Sequence, residues 1–287
     1  MENQLEPLTS TIAYNQISMP VLQLQNLGVL LFFVLPAFAV IGHLVGKSVR
    51  KKHLGAGKDI DVRAGETTMG AVFAILGLLL AFSFGNAMSL SRTAKEVLIN
   101  EAATIGTAFD RADYLPEPGR SEIKLAIYAY AVTRIVPEKE EVDTSEKVRS
   151  FLDASLREQA ILWPLTLKVT ADPLPAPMKT FFAGSINDVL DAHLFRMQTL
   201  SEPVSNLSQF MVLGAALTAM FLMGNRSGVL GRTLTWRIFL LSGFLFVIMF
   251  TIADTNRFEE GLVQVDDGTL RATIAEIENA LGVKAGS

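Results

Sequence analysis

Four stretches of this sequence are long and apolar enough to cross a bilayer, and they constrain the fold more than any motif does. A hydrocarbon core about 30 Å thick takes a helix of about 20 apolar residues. Residues 27–45 (LGVLLFFVLPAFAVIGHLV), 67–88 (TTMGAVFAILGLLLAFSFGNAM), 207–223 (LSQFMVLGAALTAMFLM) and 236–253 (WRIFLLSGFLFVIMFTIA) meet that length or fall within its range. The second run holds no charged residue, the first contains Pro36 and His43, and the fourth has Arg237 at its edge. The competing reading is four core helices of a soluble protein, but such helices seldom run this far without a charge. Only 19% of the 287 residues are charged, against about 25% in an ordinary soluble domain. The expected fold class is therefore all-α: an integral membrane protein with four transmembrane helices and an extramembrane helical bundle between spans two and three.

Loop charge sets the expected topology. Segment 46–66 carries Lys47, Arg50, Lys51, Lys52, Lys58 and Arg63, and loop 224–235 carries Arg226 and Arg232 with no acid. The positive-inside rule assigns both to the cytoplasm. The expected organisation is an outer tail (1–26), span one (27–45), a basic loop (46–66), span two (67–88), an extracytoplasmic helical domain (89–206), span three (207–223), a second basic loop (224–235), span four (236–253) and an outer tail (254–287). Both termini then lie outside. The first 20 residues hold Glu2 and Glu6 and neither Lys nor Arg, which is the wrong sign for a secretory leader. The first apolar run is expected to be retained. The cluster KSVRKKHLGAGK reads as a stop-transfer anchor or as an attractor of anionic lipid headgroups.

The outer region reads as helices. No proline interrupts residues 67–115, so span two is expected to continue outward as one helix roughly 70 Å long at 1.5 Å per residue. Val97, Leu98, Ala102, Ile105 and Phe109 follow helical spacing, so one face needs a partner. LPEPGR at 115–120 is a turn, and further helices are expected over 121–136, about 145–162 and about 178–201, with TADPLPAPMK as a loop between the last two.

The sequence holds no catalytic constellation. His43, His53 and His193 lie on separate segments without metal-ligand spacing. There is no cysteine, so thiolate metal sites and disulfides are excluded. SGVLGRT at 227–233 lacks the lysine of a phosphate-binding loop. The expectation is no enzyme, no cofactor, no metal and no nucleic-acid partner.

Span two carries the better signal. Gly70, Ala74, Gly77, Ala81 and Gly85 recur at steps of four, three, four and four, which keeps them on one helix face. Small residues let helices approach closely in lipid, so this face either packs inside the chain, forms a subunit interface or lines a permeation path. Ser83, Asn86 and Glu101 are expected toward an outer polar mouth. Asp254 and Arg257, at the end of span four, form either a local ion pair or part of a charged collar.

NEAATIGTAFDRADYLPEP at 100–118, the preceding GAVFAILGLLLAFSFGNA and the closing IADTNRFEEGLVQV resemble the bacterial bestrophin-like domain membrane family, a family of unknown function. Asp254, Arg257 and Gly261 match the family's closing pattern, with Phe258 where proline is usual. The resemblance runs from span one to about residue 270. It implies kinship with bestrophins, oligomeric anion channels gated by calcium, although their neck and calcium clasp do not map onto this chain residue by residue. What carries over is an oligomeric membrane protein with a channel-like role.

The leading expectation is thus a homo-oligomeric ion channel or channel-like pore of the bacterial inner membrane, with membrane lipids, further copies of itself and a permeating inorganic ion as partners. The alternative is a non-conducting sensor or scaffold whose outer helical domain binds a partner or ligand.

Overall fold

A computed structural model describes residues 24–57, 59–60, 65–135, 145–171, 173–201, 206–255 and 267–283. These residues form α1 (Leu24–Gly55), α2 (Glu66–Arg111), a 3-10 turn (Ala112–Tyr114), α3 (Gly119–Val132), α4 (Ser145–Val169), α5 (Ala176–Ser201), α6 (Asn206–Val229), α7 (Trp236–Thr255) and α8 (Gly268–Leu281). Among the described residues there is no strand. The protein is an all-α membrane protein in which α1, α2, α6 and α7 are long and apolar enough to cross a bilayer.

The chain divides into two compact units, and each is described by itself. One comprises residues 20–91 and 204–264 and holds α1, the first part of α2, α6 and α7. Its core is formed by Leu31, Leu35, Ala39, Leu76, Val212, Ala216, Ala219, Met220, Ile238, Leu245 and Met249. Leu24, Gly28, Leu31, Leu35, Ala39, Gly42 and Gly46 recur every three or four residues and bury one face of α1.

The closest helix packing in this unit runs along two GxxxG pairs, Gly42 with Gly46 on α1 and Gly224 with Gly228 on α6. A Cβ on Gly42 would fall on the carbonyl of Phe221, one on Gly46 on that of Asn225, one on Gly224 on that of Ala39, and one on Gly228 on that of His43. Backbone lies against backbone here, and only glycine allows it. The seam also continues α1 past Val45 and α6 past Met223, where the apolar runs stop. Nearer the start of the same face of α1, a Cβ on Gly28 would come within 2.9 Å of the Phe250 ring of α7.

The second unit comprises residues 92–203 and 265–287. Its core joins Leu98, Ala102, Ile105, Ala108 and Phe109 of α2 to Ile123, Ile127 and Tyr130 of α3, Leu162 of α4, Phe182, Ile186 and Val189 of α5, and Leu270, Ile274 and Ile277 of α8. The apolar stripe expected on α2 therefore finds its partners in this unit. Helix α8 lies where the sequence reading had only a tail. Its positions 270, 274 and 277 form one helical face, and Tyr128 Oη donates to Glu278 Oε1 at 2.9 Å.

Candidate functional site

Helix α2 runs unbroken for 46 residues and contributes to both units, so the two candidate features on it are described in turn. In its apolar part, Gly70, Ala74, Gly77, Ala81 and Gly85 are all exposed in the protomer. A Cβ built on Gly70, Gly77 or Gly85 would meet nothing within 4 Å. Only 11% of the apolar window of α2 is buried, against 33%, 28% and 39% for α1, α6 and α7. Leu76 and Ala87 turn inward, while Ile75, Leu78 and Phe82 stand exposed beside the stripe. Among the described residues the small-residue face therefore makes no tight contact, and the close packing that such residues permit occurs at the α1–α6 glycines instead.

In its later part α2 carries Glu101, well beyond the end of the apolar run at Met88. The sequence reading placed Glu101 at an open polar mouth, and its side chain is instead wholly buried in the second unit. The physical reason is a pair of cations supplied by two other helices. Arg134 Nε, just beyond α3, donates to Oε1 at 2.6 Å, and Arg196 Nη1 of α5 donates to Oε2 at 2.6 Å. Arg196 Nη1 also reaches the carbonyl of Arg134 at 3.3 Å. The Tyr130 hydroxyl donates to Oε1 at 3.3 Å and lies 3.0 Å from His193 Nδ1.

The electrostatics follow from this arrangement. Burial alone would push the Glu101 carboxyl up, but Arg134 and Arg196 overcome it and hold the group below its ordinary value. Burial pushes the Tyr130 phenol up. Burial, reinforced by the Arg134 cation, pushes His193 down to about 3. One carboxylate and two guanidinium groups are thus enclosed with a neutral phenol and a neutral imidazole. This is a strut that fixes α2 to α3 and α5, with no acid and base poised near neutrality.

The remaining expected residues lie apart from one another. Ser83 is half-buried and Asn86 exposed on α2. Asp254 is buried near the end of α7 in the four-span unit, with 3% of its surface exposed, so its carboxylate is not offered to an open collar. Arg257 lies outside the described residues. His43 is buried on α1, with no hydrogen-bond partner at Nδ1, and His53 is exposed and contacts the carbonyl of Val49. Among the described residues no three metal-ligating side chains cluster. A small recess on α2 and α5, lined by Ala103, Thr104, Thr107, Ser185 and Asp188, gathers no catalytic set.

Sequence reasoning missed the α1–α6 seam and the two arginines. The seam had a signal, because one G-x-x-x-G straddles the end of the first apolar run and another directly follows the third. The arginines had none: Arg134 and Arg196 stand 33 and 95 residues from Glu101.

Fold and geometry together define a helical membrane protein with four apolar helices and an attached helical bundle. No family model matches the chain, and no curated protein matches it. Solved structures do. The zinc-phased crystal structure of a bacterial bestrophin homologue from Klebsiella pneumoniae aligns with a TM-score of 0.61 at 11% identity, covering 88% of this chain and 98% of that one. Two single-substitution variants of that homologue align at TM-scores of 0.61 and 0.60, each at 11% identity, covering 88% and 86% of this chain and 99% and 98% of theirs. The chain has the bestrophin-like fold.

Proposed function

We propose that this protein is an oligomeric, channel-like pore of the bacterial plasma membrane, in which the small-residue face of α2 lies at a subunit contact or along a permeation path. The observation that carries this reading is the unused smallness of Gly70, Gly77 and Gly85. A glycine inside a helix costs roughly 0.5–1 kcal/mol relative to alanine. At Gly42, Gly46, Gly224 and Gly228 the protomer uses that smallness for backbone contact. On α2 it does not, so the requirement comes from outside the protomer. Lipid makes no such requirement, because flexible tails fill around any side chain, whereas a neighbouring helix or a narrow lumen does.

The shared fold supports the reading, as does the resemblance to a family whose name links it to channels. The polar residues Ser83 and Asn86 flank Gly85 at the end of the stripe and suit a wetted entrance. The basic ends of α1 and α6 face the cytoplasm and both chain termini lie outside, following the loop charges. The permeating species is an inorganic ion.

Reconstitution of the purified protein into liposomes tests the proposal. Ion flux dependent on the protein is expected, and Gly77→Leu is expected to reduce it while leaving the protomer folded. Absence of flux under every cation and anion gradient, with a stoichiometric cytoplasmic partner recovered instead, would establish the scaffold alternative.

A further inference from the structure

One end of the four-span unit gathers charge that neither the fold nor the proposed pore uses. Segments 46–57 and 224–237 together hold seven Lys and Arg residues and no acid. Within that group, Arg50 and Arg226 are committed to the protein itself. Arg50 Nη1 donates to the Val229 carbonyl at 3.0 Å, closing the end of α6. Gly231, at φ 68°, turns the chain around that guanidinium, and a Cβ there would come within 2.7 Å of Arg50 Cζ. Arg226 pairs with Glu66.

The remaining cations lie at the same end of the α1–α6 pair. Lys47, Arg50 and Lys51 are spaced by three and one along α1, so Lys47 and Lys51, four apart, share the face that Arg50 turns toward the α6–α7 connection. The backbone N of Lys47 lies directly beneath Gly228, 2.8 Å from the position of its absent Cβ. The connection carries Arg232, followed by Trp236 and Arg237 at the start of α7. Lys47, Lys51, Lys52, Arg232 and Arg237 are all exposed, and Trp236 is 66% exposed.

We propose that this surface is a binding site for the phosphodiester headgroups of anionic phospholipids. The glycine seam and the Arg50 clamp fix the backbone of α1 against Val229 and Gly231, so exposed Lys47 and Lys51 on α1 and Arg232, next to Gly231, stand at the same end of the α1–α6 pair. Its place at the ends of apolar helices puts it at headgroup depth, and an exposed tryptophan beside basic residues is the amphipathic pairing that suits that layer. A stop-transfer anchor requires the positive charges but not the clamp that assembles them. The proposal requires the four-span membrane fold and does not require conduction.

The test uses the full chain carrying Trp163→Phe, so that Trp236 is the remaining tryptophan, in phosphatidylcholine bilayers doped with a brominated lipid. Brominated phosphatidylglycerol is expected to quench Trp236 more than brominated phosphatidylcholine at the same mole fraction. Neutralising Lys47→Gln, Lys51→Gln and Arg232→Gln one at a time should lower that selectivity by up to roughly fivefold per residue. Equal quenching by the two lipids in the parent chain overturns the proposal without any charge variant having to fold. Selectivity that survives all three substitutions also overturns it. Millimolar inorganic phosphate should leave the selectivity in place, and its abolition by phosphate would assign the site to a free anion instead.

Discussion

Arg134 Nε lies 2.6 Å from Glu101 Oε1, and both side chains are wholly enclosed. An ion pair removed from water persists only where the geometry is good and the remaining lone pairs are satisfied. Glu101 meets that condition with Arg196 on its second oxygen and Tyr130 beside its first. The pair therefore acts as a register pin, fixing which turn of α2 faces α3 and α5.

Removing the carboxylate leaves two guanidinium groups buried near each other without their counter-ion. Glu101→Gln is expected to destabilise the protein by about 3–5 kcal/mol, the usual cost of breaking one side of a buried pair. A fall in the thermal midpoint in detergent checks this, and an unchanged midpoint would remove the pin from the account. Arg134→Met together with Glu101→Met is expected to recover part of the loss.

Acid should weaken the same unit in two stages. His193 is depressed to about 3 when folded, while the unfolded chain takes up its proton near the ordinary value of about 6.5. Between those values the unfolded state binds more protons, so stability is fully present above about pH 6.5 and falls as pH drops, at up to about 1.4 kcal/mol per pH unit. Glu101, also depressed, adds stability that is present above the ordinary carboxylate range and lost as pH falls through its lowered folded value. Midpoints measured from pH 7.5 to 5 should decline, and His193→Gln should flatten that decline.

The two sets of glycines should respond oppositely to the same substitution. Gly224→Ala or Gly42→Ala places a methyl on a facing backbone carbonyl, so the α1–α6 seam must open and the protein should express poorly or melt at lower temperature. Gly70→Ala and Gly85→Ala meet open space within the protomer and should leave its folding intact, with any effect confined to subunit association or flux. Chemical cross-linking and midpoint measurements on both pairs separate the outcomes.

Helix α8 is part of the core of its unit. Leu270→Ala removes a wholly buried side chain and is expected to cost about 2–5 kcal/mol. Glu278→Gln should cost less, because it weakens a single half-exposed hydrogen bond to Tyr128. Denaturant midpoints of the two variants give the comparison.

Much of this was present in the one-dimensional pattern. Four long apolar runs set the class, because helices of that length and polarity match the hydrocarbon core of a bilayer. The absence of proline between Thr67 and Leu115 set the length of α2, because only a missing donor or a strong breaker stops so long a run. The spacing of Leu98, Ala102, Ile105 and Phe109 announced a buried face. Three-dimensional packing decided the rest. It turned the glycine stripe of α2 outward and gave the backbone contact to Gly42, Gly46, Gly224 and Gly228. It enclosed Glu101, which the sequence left at an open mouth, and it drew α8 into a core. Periodicity reports that a helix has two faces, but a face acquires its partner only when distant segments meet, and the arginines that hold Glu101 come from elsewhere in the chain.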